Sequence, residues 1–396
     1  MRRLSRTILT LLLLPFLARA PAAVAEPVAS LVTVGPGDAV WEKFGHNMIR
    51  LQDDERGFDV CYNWGLFDFD QPNFIFNFIQ GRMLYTMAAL RTQPLLDEYK
   101  AQDRRVTFQR LNLSPQQLNE LIVRCEINRQ PGNADYRYDY FKDNCSTRVR
   151  DIIDGVVGGA IANATKDRPT RPPVTYRQEA LRLTQGDFWI SLGMDFALGP
   201  NSDKPLDLWA EGFLPASVSQ SAAFLAEAPV EAWPVKRAAE PAAPPVRWPW
   251  LMLAGLGGAG AMVAVHRWRA WAGRTLVRAW WALAGGGGAF MGYIWLFTDH
   301  AAGHANQNLW QFSPLALVAL ATTLPRFRRV TFWLASTIVA LSVVGGIFWS
   351  VGKLGGPFAQ PNGGFILLAL PLHLTAAWVA RGTLTKPHTA DEVAGL

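Results

Sequence analysis

FKDNCSTRVRDIID (residues 141–154) is where an extended segment turns into a helix. Upstream, YRYDYFKDN alternates, placing Tyr136, Tyr138 and Tyr140 on one face of an extended run. Downstream, Val149, Ile152, Ile153 and Val156 recur at helical spacing, and Gly158-Gly159 closes the pattern. Asp143 or Asn144 suits the N-cap, and Arg148 with Asp151 is expected as a helix-surface pair. Cys145 therefore sits in the first turn, where unpaired amides and the helix dipole stabilise a thiolate. The same amides can donate to an oxyanion. A small buried hydrophobe fits that position equally well, so a catalytic reading needs a base from elsewhere.

Residues 26–225 read as one mixed α/β domain. HNMIRL and FDVCYNWG flank the polar DDERG turn as a hairpin, with His46, Met48 and Arg50 on one strand face. RVTFQRLNL reads as a strand leading into SPQQLNELIVRCEIN, a helix. Ser114 as N-cap, Pro115 at N1 and Gln117 at N3 compose a capping box there. Leu118, Leu121, Ile122 and Cys125 make its apolar stripe. Phe74, Phe76 and Phe78 are expected to pack or to touch a bilayer surface.

His46 is the only histidine before residue 266, so it is the one base this domain can offer Cys145. A thiol at a helix start and an imidazole on a strand make the pair needed for nucleophilic acyl transfer. Cys61 and Cys125 complete the three cysteines; a bridge between them and three free thiols both fit the sequence. No zinc-type ligand set stands out, and neither a metal nor a cofactor is expected.

The ends of the chain decide its location. Arg2, Arg3 and Arg6 precede ILTLLLLPFLA and the small-residue site Ala23-Val24-Ala25, the pattern of a signal peptide over residues 1–25. Residues 226–247, rich in Ala and Pro, read as a linker. Five apolar segments follow (248–265, 279–297, 309–324, 330–352 and 364–380), giving a membrane domain over 248–381 with about five spans and a tail over 382–396. The third is weakest, with Gln311 and Pro314 inside it. Arg267, Arg269, Arg274 and Arg278 fill one loop and Arg326, Arg328 and Arg329 another. The positive-inside rule puts both in the cytoplasm and the 26–225 domain outside. These arginines account for much of the net charge of +6, so no nucleic-acid surface is inferred. Helical spans imply the inner membrane of a Gram-negative source, with the domain in the periplasm. His373, inside the fifth segment, is expected to face the bundle interior.

FGHNMIRL, YNWGLFDFDQPNFIFNFIQGRMLY and YFKDNCSTRVRD resemble the exported domain of the Lnb-type family, whose name comes from a lipoprotein N-acyltransferase of Bacteroides. TYRQEALRLTQGDFWISLGMDFALGPNSDKPLDLWAEGFLP and HAAGHANQNLWQFSPLAL are similar to that family as well. The order of histidine before cysteine also resembles circularly permuted NlpC-like papain folds. The resemblance implies an α+β papain-like exported domain followed by an all-α membrane bundle. It implies Cys145 as nucleophile, His46 as base and a polar residue on the next strand to orient the imidazole: Asn63 first, with Asp59 and Asp68 behind it. Asp68, His300, His304 and Asn306 are candidates for substrate binding, although the loop residues also fit plain interfacial hydrogen bonding.

The function expected is acyl transfer from a phospholipid through a thioester on Cys145. Family resemblance makes a lipoprotein N-terminal amine the acceptor. Two other readings stand beside it: a thiol amidase or peptidase acting on cell-wall peptide, and a non-catalytic membrane scaffold.

Overall fold

The computed structural model describes residues 27–352 and 360–384. The expected signal peptide, Lys353 and residues 385–396 of the expected tail lie outside the described residues. Strands β1 (Val28–Val34), β2 (His46–Asp53), β3 (Phe58–Leu66), β4 (Leu84–Arg91), β5 (Val106–Arg110), β6 (Tyr136–Arg137) and β7 (Val230–Glu231) form one sheet. Their order is β6-β4-β3-β2-β1-β5-β7, with every neighbouring pair antiparallel. Helices of this domain are α1 (Phe74–Gln80), α2 (Thr92–Ala101), α3 (Pro115–Asn128), α4 (Cys145–Val156), α5 (Ala160–Thr165), α6 (Tyr176–Thr184), α7 (Phe188–Ala197), α8 (Leu208–Glu211) and α9 (Pro215–Ser221). The expected hairpin is β2–β3, in a register that sets Met48 opposite Asn63.

The sheet is buried on both faces. Leu31, Ile49, Tyr62 and Trp64 point into a core closed by α3 and α4. Val32, Met48, Cys61 and Val106 point into a second core closed by α2 through Tyr99. Cys125 belongs to the first core and Cys61 to the second, so the sheet itself separates them. No bridge joins them, and all three cysteines are free thiols.

The local chemistry explains the helix starts. On α3, Ser114 and Gln117 exchange side-chain bonds with each other's amides, the expected capping box. On α4, the N-cap is Asn144, whose Oδ1 accepts from the Ser146 and Thr147 amides, worth about 1 kcal/mol. Asp143, one residue earlier, is free to turn outward and forms a two-pronged pair with Arg148. That replaces the expected Arg148–Asp151 pair; Asp151 instead meets Arg150. Val149, Ile153 and Val156 are buried along α4 and Ile152 is half-buried.

The Ala/Pro-rich segment is stitched to the domain. Ala226 bridges Leu111, and Val230 and Glu231 pair with β5 as its edge strand. Trp233 Nε1 donates to the Arg104 carbonyl, and Arg237 grips Asp38 and the Gln102 carbonyl. Further on, Arg182 reaches Glu240 and the Pro241 carbonyl, and Arg247 donates to Ser191.

The C-terminal region contains α10 (Trp248–Trp268), α11 (Ala270–Phe297), α12 (Leu315–Ala321), α13 (Arg328–Gly352) and α14 (Gly363–Leu384). Three of these helices, α10, α13 with its leading turn, and α14, are long and apolar enough to cross a membrane. About five spans are expected from the sequence; these three are the helices among the described residues that meet that length and apolarity. Helix α11 has 28 residues, but Arg274 and Arg278 occupy its first third and Trp and Gly much of the rest. The expected third span yields only the seven-residue α12, because Pro314 starts a new helix and Gln311 and Ser313 stay outside it. Polar groups inside the bundle satisfy that broken stretch. His373 Nε2 donates to the Gln311 carbonyl at 2.7 Å, and Trp280 Nε1 donates to His373 Nδ1 at 3.1 Å. The Gln311 side chain bonds Ser342. His373 thus faces the bundle interior, as expected, and is 1 % exposed.

Candidate active site

The site assembles where β2 begins and α4 begins. Gly45 precedes β2 at φ +79°, and a side chain there would meet the Val34 carbonyl oxygen at 2.5 Å. Only glycine lets the chain pass so close and turn His46 onto the sheet. Met48 and Asn63 are opposite in register, so His46 and Asn63 share a sheet face as diagonal neighbours. His46 Nε2 lies 2.7 Å from Asn63 Oδ1. The amide oxygen can only accept, so Nε2 carries the proton and Nδ1 is left as a bare acceptor.

Cys145 lies close enough to the His46 ring for each to shift the other's titration, and Nδ1 is the ring nitrogen left free to take the thiol proton. The Asn47 backbone amide also favours the thiolate, and the Ser146 hydroxyl lies 3.8 Å from the sulfur. Burial alone pushes this thiol up. The adjacent imidazole's charge and hydrogen bond, the Asn47 amide and the Ser146 hydroxyl outweigh burial and bring it down to about 7. For His46, burial disfavours the charged ring, but the Cys145 thiolate and the bonds to Cys145 and Asn63 win, and its pKa is raised. Burial keeps the thiols without an imidazole beside them high, Cys61 at about 11 and Cys125 at about 12.

Two donors face the sulfur's surroundings. Asn144 Oδ1 takes the amides of Ser146 and Thr147, so of the expected helix-start donors only the Cys145 N–H remains open. The second donor is the Tyr136 hydroxyl, which is buried with no hydrogen-bond partner among the described residues. From the point where a Gly65 side chain would begin, the Cys145 Cβ is 3.4 Å away and the Tyr136 hydroxyl 3.8 Å. The sequence placed Tyr136 on a face with Tyr138 and Tyr140 but gave it no role. Its alternation leading straight into the helix-start cysteine was the available signal.

Cys145, His46 and Asn63 are thus brought together. Asp59 is held instead by Arg50, at 2.8 and 2.7 Å, and by the Thr92 hydroxyl. Asp68 accepts from the Asp70 amide in an exposed turn. Of the other candidates, His300 and Asn306 join the domain to the bundle, and His304 bonds within the bundle's own loop. His300 Nε2 meets the Phe78 carbonyl at 3.0 Å and its ring stacks on Tyr140. His304 Nε2 meets the Thr298 carbonyl, and Asn306 Nδ2 donates to the carbonyls of Phe196, Ala197 and Leu198.

Comparison with known proteins adds a family. Residues 20–181 match the model described as the Lnb N-terminal periplasmic domain, a span that runs from before β1 into α6 and includes His46, Asn63, Tyr136 and Cys145. No curated protein and no solved structure matches the chain. The chain thus joins a stretch that matches the Lnb N-terminal periplasmic domain to long apolar helices, the make-up of a membrane protein with a periplasmic domain of Lnb type.

Proposed function

We propose that the protein is a membrane-anchored thiol acyltransferase that takes an acyl chain from a phospholipid onto Cys145 and passes it to an amine. Its likeness to the Lnb family makes a lipoprotein N-terminus the acceptor, at the periplasmic face of an inner membrane. The observation that carries this reading is the Cys145–His46–Asn63 relay, its thiol and amide buried and its imidazole half-buried, set against a helix-start amide. The order of strand histidine before helix-start cysteine, with α4 across an antiparallel sheet, supports a permuted papain-like relation.

In the first half-reaction His46 Nδ1 takes the thiol proton and the sulfur attacks the ester carbonyl carbon. Charge moves to the carbonyl oxygen, where the Cys145 N–H and the Tyr136 hydroxyl donate. Collapse breaks the ester C–O bond, and the imidazolium returns its proton to the departing lysophospholipid alkoxide. In the second half the acceptor amine attacks the thioester, gives a proton to His46, and the thiolate leaves. Asn63 holds the ring in the tautomer that both halves need.

Incubating the purified protein with acyl-labelled phospholipid under non-reducing conditions tests this. A hydroxylamine-labile label on the wild type, lost in Cys145→Ser, is expected. Cys145-dependent cleavage of cell-wall peptide without such a label would replace the reading by a thiol amidase. Full cellular activity of both Cys145→Ala and His46→Ala would leave a scaffold.

A further inference from the structure

Helix α1 points most of its long apolar side chains away from protein. Ile75, Phe76, Phe78 and Ile79 are exposed, Ile75 at 66 %, and Phe69 stands exposed just before the helix. The helix itself carries no charged residue. Its C-terminal end is fastened to the bundle at a fixed depth. Gln80 Nε2 donates to the Tyr293 hydroxyl, the Asp299 amide donates to the Gln80 carbonyl, and Arg82 pairs with Asp299 at 2.9 Å. Gly81 makes the fit, since a side chain there would meet the His300 nitrogen at 2.8 Å. Tyr293 lies one turn before the end of α11, next to the exposed Leu296 and Phe297. Helix α11 packs on α10, whose first residues Trp248 and Trp250 are exposed at the same end of the bundle. An uncharged apolar helix held beside the apolar end of a bundle helix, level with exposed tryptophans, sits where a bilayer surface would be.

We infer that α1 lies in the bilayer leaflet facing the periplasmic domain and is where phospholipid meets that domain. From α1 a wall of rings leads inward: Phe74 to Phe67 at 6.0 Å, Phe67 to Tyr85 at 5.1 Å, and Tyr85 to Tyr138 at 4.2 Å. Tyr138 lies 3.8 Å from the same Gly65 point that the Cys145 Cβ faces at 3.4 Å. Acyl chains follow this wall to the thiol; this second step rests on the acyltransferase reading, whereas the leaflet contact does not.

The test uses the full chain in phospholipid nanodiscs on a Cys145→Ser background, with an environment-sensitive fluorophore on Phe76→Cys or Ile79→Cys. Phospholipid carrying a nitroxide near the top of its acyl chain is the quencher. Quenching at 76 and 79 should match that at Leu296→Cys on α11 and exceed that at Val230→Cys on β7 at least fivefold. Quenching no greater than at 230 overturns the inference. So does protection from the nitroxide accompanied by a 76–76 cross-link, which would make a second copy the occupant. A second measurement uses I75S/F76S/I79S with Cys145 intact. Thioester formation from vesicle phospholipid should fall at least tenfold more than reaction with p-nitrophenyl acetate. Equal losses overturn the route along the rings. A wild type that neither ester acylates sinks the acyltransferase reading and leaves the leaflet contact to the quenching result.

Discussion

The periplasmic domain and the helical bundle each hold a hydrogen-bonded histidine. His373 is bonded by a tryptophan N–H and a backbone carbonyl, groups that do not change protonation under any ordinary condition. His46 is bonded by an amide oxygen and faces a thiol whose pKa is drawn down to about 7. One imidazole ties a broken helical stretch in place. The other sits beside a group that titrates. Hydrogen bonding is common to both, so it does not tell the two apart; the titrating partner does.

Breaking the reactive pair gives the largest effect. His46→Ala should cut thioester formation roughly 10²–10⁴-fold, the usual worth of a positioned acid–base. The same change shifts the pH profile of alkylation by iodoacetamide. In the wild type Cys145 should react faster as pH rises through about 7, where its thiolate is expected to form. Without the ring only the Asn47 amide and the Ser146 hydroxyl oppose burial, and the midpoint should move up toward the range of Cys61 and Cys125, about 11 and about 12. A midpoint that stays near 7 would mean that the Asn47 amide and the helix start, not His46, set the thiolate.

Tyr136→Phe keeps the ring and removes the unpartnered hydroxyl. It should lower kcat by about 10²-fold with KM little changed, the signature of one oxyanion donor. An unchanged kcat removes Tyr136 from the chemistry. Asn63→Ala should cost roughly tenfold, about the worth of a hydrogen bond to a group that becomes charged, with Asn63→Gln failing to rescue if position matters. The smallest effect belongs to the other histidine. His373→Leu should leave the Cys145 alkylation profile alone and lower thermal stability in nanodiscs by about 1 kcal/mol, the scale of interhelical hydrogen bonds. A change in the alkylation profile would show that the bundle and the thiol are coupled.

Much of the periplasmic domain was legible because its signals are local. The DDERG turn between alternating runs announced the β2–β3 hairpin, and Ser114 with Gln117 announced α3. The Cys145–His46 pairing was legible through scarcity, since only one histidine precedes residue 266. What stayed hidden depended on who meets whom in space. Alternation put Tyr136 on a face but could not say that its hydroxyl would lack a partner beside the thiol. Arg148 had two acids within reach, and the one outside the helix won because it could turn to meet both guanidinium nitrogens. Hydropathy counted 309–324 as a span; it could not register that His373 and Ser342, far along the chain, would satisfy the polar groups of a broken helix. His300, His304 and Asn306 were marked by residue type, yet their hydrogen bonds go to backbone carbonyls: those of His300 and Asn306 join the two parts, and that of His304 closes its own loop.

The stitched segment from Ala226 to Arg247 bears on how far the domain can travel. Strand pairing, the Arg237 clasp and the Arg247–Ser191 bond leave no slack between the sheet and α10. A leash of that length would let a catalytic head sweep outward and sample neighbouring surfaces. A fixed mount instead holds the thiol at one height above one bilayer. Under the acyltransferase proposal such a mount implies action in cis: substrates would come by lateral diffusion, and a lipid in an opposing vesicle would stay beyond reach.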